Sequence, residues 1–513
     1  MPDVEIRKTP SYDYEQGNRG VVGSRGSVFV LASKKKGSDV VNDVAVDGEK
    51  KDLTRAYVAL GVLFATFASN QWSRQAIYYL CDFTASADAF KHMNAALNFD
   101  KEMYATLASI AFTLVFAVVS LFAGTASDRY NRSRVAALSC LAWSACTALQ
   151  SQASSYGDLI PLRALTGFSQ AFFNPAAYTL LSDLFPARMI GTVNGIFSGG
   201  VYLGGALASL SILLDGAYGW RSTVQTIGLI GAGASVLCFL LVPEPRNSSA
   251  GGTVAVMKKN SDNNLSSTAE SSSAAPEMSS SSSSKGSNPV DEGLRAIREV
   301  SATREARLLL SATALRFCAG FSIAIWKAPF IFNKFPGVAE QFSSSNAAIV
   351  AGGGLLSTLV GGYVSDRLTN PSDPESNPPK ARAWVPAVGS LLAAPAWAAF
   401  ILAPTPELTA AALLIEYLVA ECWFGPTLAA LFTVVSPERR GAAQGLFSVL
   451  TALGNTAPIL IGAFAGGNLG DYQLSNVLLY AVSGCYVIAG ALFWLAALED
   501  EKRIAKTFGR ASD

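Results

Sequence analysis

The chain has 513 residues, half of them hydrophobic and 15% charged, with a formal net charge of +1. Globular domains carry roughly 25% charged residues, and a mean hydropathy of +0.31 matches that deficit, which excludes a soluble multi-domain protein and a mainly disordered chain. The near-zero charge gives no support for a nucleic-acid partner.

Residues 1–52 are polar, contain the run Lys34-Lys35-Lys36, and begin with no apolar core of signal-peptide length. They read as a disordered cytosolic tail. A plastid transit peptide fits less well, because Asp3, Glu5 and Asp13 are acidic. Apolar runs follow at about 54–80, 104–126, 135–153, 159–182, 191–213 and 222–242, giving an expected six-helix bundle over 53–243. The stretch 244–304 is polar, with unbroken serine from Ser279 to Ser284, and cannot bury enough surface to order itself. It is expected to be a disordered linker. Six more runs lie at about 305–332, 345–365, 384–403, 407–435, 441–466 and 474–498, giving a second bundle over 305–499 and a cytosolic tail over 500–513. At roughly 20 residues per span, the apolar half of the chain suffices for about twelve membrane helices. Glycine and proline inside these runs are tolerated, since neighbouring helices satisfy the freed backbone groups. The expected fold is all-α: a polytopic membrane protein with twelve transmembrane helices in two pseudo-symmetric bundles.

Lysine and arginine set the orientation. Arg129, Arg132 and Arg134 follow the second run, Arg188 the fourth, Arg367, Lys380 and Arg382 the eighth, and Arg439 and Arg440 the tenth. All fall on one side, together with the linker and both termini, and that side is expected to be cytosolic. The first loop on the other side holds Asp82, Asp88, Asp100 and Glu102 against Lys91 and Lys101. Asn131-Arg-Ser133 and Asn247-Ser-Ser249 have the glycosylation pattern but lie on the cytosolic side, so they are expected to be unmodified.

The two halves repeat. Gly124-x3-Asp128-Arg129 after the second run matches Gly362-x3-Asp366-Arg367 after the eighth. Gly191-x2-Asn194-Gly195-x-Phe197-Ser198 matches Gly441-x2-Gln444-Gly445-x-Phe447-Ser448, and Gly204 matches Gly454 in the same register. Duplicated six-helix halves are the sequence trace of a transporter.

These residues resemble the major facilitator superfamily. Gly124-Thr-Ala-Ser-Asp128-Arg129-Tyr-Asn-Arg132-Ser-Arg134 is similar to its signature loop between helices 2 and 3, with Asn131 where the family has glycine. Arg163-x3-Gly167 resembles its helix-4 arginine motif, and Pro243-Glu244-Pro245-Arg246 its exit from helix 6. Within the superfamily the chain resembles the Spinster lipid transporters. Asp128-Arg129-Tyr130-Asn131-Arg132 has that family's form. Asn70-Gln-Trp-Ser73-Arg74 resembles its helix 1, and Glu416-x6-Trp423 with Pro437-Glu-Arg439-Arg440 its helix 10 and following loop. The resemblance covers roughly 55–245 and 305–500. It implies a twelve-helix carrier of lysophospholipids or sphingoid lipids. Two acids associated in the family with proton coupling are replaced here, by Ser73 on helix 1 and Gln170 on helix 4.

Charged groups in hydrocarbon are expensive and normally face a cavity or a partner. Arg163, Gly167, Gln170 and Asn174 share one helical stripe, as do Asn70, Arg74 and Tyr78. Arg316 and Lys327 fall in the seventh helix, Glu416 and Glu421 in the tenth. Arg163 and Lys327 have a second reading, snorkelling to the outer interface. Glu416 and Glu421 are five residues apart, roughly 140° around a helix, and are expected to face different spaces, with Trp423 on the Glu416 side. The expected substrate site is therefore Asn70, Arg74, Arg163, Gln170, Asn174, Arg316, Glu416 and Trp423, with a formal excess of positive charge suited to an anionic or zwitterionic head group. Tyr78, Tyr178, Tyr202 and Trp326 are candidate path-lining residues or packing anchors. Gly124, Asp128, Arg129, Arg132, Asp366 and Arg367 are expected to latch one state of a rocking transporter, Arg129 and Arg132 pairing with acids such as Asp183. Their alternative role is to fix topology.

The expected activity is secondary-active or facilitative transport by alternating access of a lysolipid-like or other anionic amphipathic solute. A carrier of small organic anions or phosphate, or a receptor on a transport fold, are the alternatives. One histidine, His92, and seven cysteines without a CxxC leave no metal site to propose, and no GxxxxGK[ST] is present. No catalytic residue and no cofactor are expected. The expected partners are the substrate and membrane lipids, with the chain a monomer.

Overall fold

A computed structural model describes residues 37–84, 88–186, 189–245, 297–369, 381–436, 440–467, 470–471 and 473–509. Among the described residues, twelve helical passes are present. In the first half they are α1 (Gly37–Gln75), α2 (Lys101–Ala108 continuing as Ile110–Arg129), α3 (Arg132–Gln150), α4 (Tyr156–Ala171 and Phe173–Leu184), α5 and α6. Pass α5 is Ile190–Ser198 plus the first part of Gly200–Leu241, and α6 is the remainder of that segment beyond Gly219. The second half holds α7 (Arg304–Lys334), α8 (Ala339–Ala348, a π turn Ile349–Gly354, and Leu355–Leu368) and α9 (Trp384–Leu402). It continues with α10 (Pro406–Ala420, a 3-10 turn Glu421–Trp423, and Phe424–Val434), α11 (Arg440–Gly454 and Ala457–Phe464) and α12 (Leu474–Gly509). A two-stranded antiparallel hairpin, β1 (Ala465–Gly467) and β2 (Gly470–Asp471), follows α11. Among the described residues, seven helical stretches are long and apolar enough to cross a membrane, one of which contains both α5 and α6. The remaining passes are broken, as α4 and α11 are, or interrupted by polar side chains.

Side chains in the loops decide where helices start. Asp100 accepts the Met103 N–H (2.8 Å) and Asn131 the Arg134 N–H (2.8 Å), while Thr303 accepts the Ala306 N–H (3.1 Å). Each caps one orphan donor. Asn131, standing where the resembling family has glycine, is thus the N-cap of α3. Gly219 separates α5 from α6 at φ +78°, and a Cβ there would lie 2.8 Å from the Phe90 carbonyl, so only glycine fits. The Trp220 N–H donates to that same carbonyl (3.2 Å).

The repeat in sequence is a repeat in packing. A Cβ on Gly204 would sit 2.5 Å from the Ala68 carbonyl and 2.4 Å from Gln71 Cβ, so α5 lies directly on α1. A Cβ on Gly454 would sit 2.4 Å from Phe317 Cβ, so α11 lies on α7 in the same way. Small residues permit this backbone approach where no hydrophobic effect drives helices together.

Two ends can be distinguished: the loop end, carrying residues 76–100, and the basic end, carrying Arg132 and Arg382. At the loop end one apolar core spans both halves, from Trp72, Tyr78 and Tyr104 to Trp326, Phe330 and Trp397. Toward the basic end each half has its own core, around Phe67, Trp143 and Phe173 in the first and around Leu309, Leu431 and Phe493 in the second. The halves are therefore sealed together at the loop end and packed separately at the other.

Helix α1 reaches back to Gly37, into the segment expected to lack structure, because extending a formed helix needs no new nucleus. Residues 1–36 and 246–296, including the serine run, lie outside the described residues. Glu244 pairs with Arg132 and Val300 is buried in the second core, so each half reaches into the edge of the expected linker. The expected tail is helical through Gly509, and Arg503 pairs with Glu305 at the start of α7 (3.4 Å).

Candidate functional site

The first-half site is built on α1, α2 and α4. Arg163 is 1% exposed, so it does not snorkel. Its Nε donates to the Leu107 carbonyl (3.3 Å) and its Nη2 to the Arg74 carbonyl (3.2 Å). Those carbonyls aim it at the Phe112 ring, 5.5 Å from its guanidinium carbon. Arg74 is half-buried and lies over the same ring at 4.7 Å, with Phe116 and Phe321 each at 5.9 Å. Phe321 belongs to α7, so Arg74 stands at the boundary between the halves. Neither arginine has a carboxylate within 4.0 Å among the described residues.

Gln170 and Ser73, at the two positions where the resembling family has acids, bond each other. Gln170 Nε2 donates to Ser73 Oγ (3.1 Å) and to the Asn70 carbonyl (3.2 Å), and Ser73 Oγ donates to that carbonyl too (2.9 Å). A neutral link thus joins α1 to α4. Asn174 does not continue the stripe smoothly, because α4 breaks at Phe172 and Asn174 sits on the next segment. Its Oδ1 is buried with no hydrogen-bond partner among the described residues.

The second-half cluster is on α7, α10 and α12. Arg316 is 2% exposed; its Nη2 donates to the Ala420 carbonyl at the end of the first α10 segment (2.8 Å). Its guanidinium lies over Tyr486 (4.5 Å) and Trp423 (5.3 Å). Glu416, equally buried, accepts the Tyr486 hydroxyl. Tyr486 therefore links Arg316 to Glu416 without a direct ion pair. Lys327, also 2% exposed, donates to the Tyr417 hydroxyl (2.8 Å) and faces the Tyr417 and Tyr79 rings at 5.0 and 6.0 Å. Burial excludes the snorkelling alternative for Lys327.

Glu421 opens the 3-10 turn Glu421–Trp423, directly after the segment Pro406–Ala420 that carries Glu416. Glu416 meets Tyr486 of α12 and Glu421 the Tyr202 hydroxyl of α5, so the two acids have different partners. Trp423 is packed among Phe317, Phe424 and Arg316, a wall of the second core as much as a site residue.

Of the path candidates, Tyr78 and Trp326 belong to the loop-end seal. Trp326 Nε1 donates to the Pro458 carbonyl (3.0 Å), and Tyr104 donates to the carbonyls of Ile325 (2.7 Å) and Tyr78 (3.4 Å). Tyr178 bonds Ser198 (3.1 Å) in the first half, and Tyr202 bonds Thr358 across the halves. The seal is completed by Ser209 and Ser343, each donating to the other's carbonyl (2.9 and 2.8 Å), and by Asn346, which donates to Ser209 Oγ (2.9 Å) and Tyr79 (3.1 Å).

At the basic end, the side chains of Asp128 and Arg129 and the surroundings of Gly124 lie outside what is described. Arg132 pairs with Asp183 (2.7 Å), as the sequence suggests, and with Glu244 (2.6 Å), which the sequence marks only as the exit of helix 6. Both acids belong to its own half. In the second half, exposed Asp366 pairs with Arg382 (2.6 Å), and Arg367 is exposed at the end of α8.

The sequence profile of the Major Facilitator Superfamily matches residues 72–457. An MFS-type efflux pump of Mycolicibacterium smegmatis is 22% identical over 460 residues, covering 86% of this chain and 93% of that protein. The sphingosine-1-phosphate transporter SPNS2 of Danio rerio is 27% identical over 150 residues, covering 28% of this chain and 30% of that one. The probable galactarate/D-glucarate transporter GarP of Escherichia coli is 26% identical over 216 residues, 39% and 44% of the two chains. Among solved structures, an inward-facing, unoccupied bacterial homologue of the human lysosomal transporter Spinster aligns with a TM-score of 0.62 and 19% identity, over 86% of this chain and 95% of that one. At that identity the likeness speaks for the fold alone.

Proposed function

The chain belongs to the Major Facilitator Superfamily, and from that premise we propose that it carries an anionic amphipath of the lysolipid or sphingoid class by alternating access. The observation that carries this reading is the Arg74–Arg163 pair: two cations around Phe112, at the boundary of the halves, with no carboxylate in ion-pair range among the described residues. Arginine presents a planar fork that grips phosphate or carboxylate bidentately. Leu107 and Arg74 carbonyls pre-orient Arg163, so little rotamer entropy is lost on binding. On α7, two residues before Lys327, the Ile325 carbonyl accepts the Tyr104 hydroxyl of the first half. The likeness of one segment to SPNS2 supports the lipid class.

In this reading the basic end faces the cytosol, following the excess of lysine and arginine, and the halves are poised to admit substrate there. The shared loop-end core and the Ser209–Ser343, Asn346 and Tyr104 bonds close the other side. Switching must break these bonds, each worth about 1 kcal/mol net, and make new ones at the basic end. Gly124, Asp128, Arg129, Asp366 and Arg367 are positioned in sequence for that second closure, while Arg132 braces its own half.

Transport is facilitated diffusion or anion exchange. The Ser73–Gln170 bond joins two groups that do not titrate near neutral pH. The second reading, a small organic anion, draws on the GarP likeness. Uptake by vesicles containing the purified chain, screened across lysolipids and organic anions, decides between the two. Saturable lysolipid uptake supports the proposal, and uptake of sugar acids alone overturns it.

A further inference from the structure

We propose that Phe112 of α2 is the positioning residue of the anion site: its ring takes the place of a counter-ion, holding Arg74 beside Arg163 without occupying the groups that grip substrate. This rests on the carrier reading above. Two like charges at close range repel, and neither arginine has a carboxylate within 4.0 Å among the described residues. What the two share is one ring. The guanidinium carbons of Arg74 and Arg163 are 4.7 and 5.5 Å from the Phe112 centroid. An aromatic face carries negative potential and attracts a cation. Phe112 is 1% exposed, so water screens that attraction little.

Gly167 explains why the ring sits there. A Cβ on Gly167 would lie 2.4 Å from the Phe112 carbonyl, so α2 rests directly on α4 at this residue. Gly167 is one turn from Arg163 on α4, and the same close approach puts Phe112 beside that arginine. Phe116, one turn further along α2, stacks on Phe112 (5.6 Å between centroids, 17° between planes). With Phe321 of α7 it completes a cradle of three rings around Arg74. The two arginines differ in what they have left to offer. Arg163 spends Nε and Nη2 on carbonyls. Among the described residues no hydrogen bond reaches the half-buried Arg74 guanidinium, so all its N–H donors stay open to a solute. An acid in the place of the ring would fix Arg74 through those same N–H groups, and a substrate anion would have to displace it. A ring fixes the cation through a π face and leaves the fork free.

The test uses the full chain in phosphatidylcholine vesicles, with mono-, di- and trifluorinated phenylalanine placed at position 112 and lysophosphatidate as the transported probe. Each fluorine drains the ring face of negative potential with little change in size, so packing is kept while the hold on the cations weakens. The half-saturating lysophosphatidate concentration should rise stepwise along the series, reaching about fivefold, the loss expected when one arginine side chain is ordered on binding instead of beforehand. The maximal uptake rate should stay the same. Cyclohexylalanine at 112, a ring of similar size without a π face, should behave like the trifluorinated chain. The same fluorine series at Phe173, a buried ring packed against Phe67, Trp143 and Phe197, should change nothing. Saturable uptake with a flat or falling series at 112 would overturn the proposal and leave the carrier reading intact. An equal rise at Phe173 would assign the effect to core packing and also overturn it. No saturable uptake by the unaltered chain would overturn both.

Discussion

Replacing Arg132 by alanine tests whether it is a brace within one half or a latch between halves. Its side chain is 1% exposed and donates to Asp183 (2.7 Å), to the Thr179 carbonyl (3.0 Å) and twice to Glu244 (2.6 and 3.2 Å), whose other oxygen accepts the Arg132 N–H (2.6 Å). Glu244 is 5% exposed and Asp183 44%. The exposed pair is worth at most about 1 kcal/mol, whereas removing one partner of a buried pair costs about 3–5 kcal/mol. Arg132→Ala should therefore lose about 3–4 kcal/mol, most of it through Glu244. A cycle with Glu244→Gln should show a coupling of about 1–3 kcal/mol. The assay is denaturant unfolding of the detergent-solubilised protein, run beside thiol labelling of single cysteines in each mouth. The brace predicts lost stability with an unchanged labelling ratio. A stable Arg132→Ala protein with labelling shifted between the mouths would refute it.

Removing loop-end bonds with Ser343→Ala and Asn346→Ala should raise thiol labelling at the loop-end mouth, since the Ser209 carbonyl loses the Ser343 hydroxyl and the Ser209 and Tyr79 hydroxyls lose the Asn346 amide, leaving only the Ser209 bond to the Ser343 carbonyl; unchanged labelling would assign closure to the apolar core alone. An imposed pH gradient, with equal substrate on both sides, should drive no net accumulation; accumulation that disappears in Glu416→Gln would give Glu416 the coupling role that Ser73 and Gln170 lack. In the loop, burial pushes His92 below the usual histidine range, although Asp82 and Asp88 pull it up, while Lys91 lowers it further. The folded chain then binds fewer protons there than the unfolded chain. The His92 contribution to stability should be complete above about pH 6.5 and fall as the pH drops below that value. His92→Gln should flatten that slope in thermal unfolding, and an unaltered slope would place the dependence on other groups.

Much of the architecture was legible because it rests on periodicity and on glycine. The twelve runs appear as twelve passes, and the matched Gly204 and Gly454 press on α1 and α7 alike. Arg132–Asp183 was readable because both residues stand at basic-end helix termini. The partner of Glu416 was not, because Tyr486 lies in an apolar run eleven helices from α1 and nothing local marks it. The polar bonds of the loop-end seal were invisible since serine, asparagine and backbone carbonyls make them, residue types that carry no pattern when their partners are more than a hundred positions away.

The most direct test of the central claim is uptake of lysophosphatidate by vesicles containing either the full chain or its Arg74→Ala variant. Arg74 is half-buried and bound chiefly by aromatic rings, so its removal should leave the protein folded and its amount in the membrane normal. The account predicts saturable uptake by the full chain and its loss in Arg74→Ala. Equal uptake by both, or none above empty vesicles by either, would contradict it.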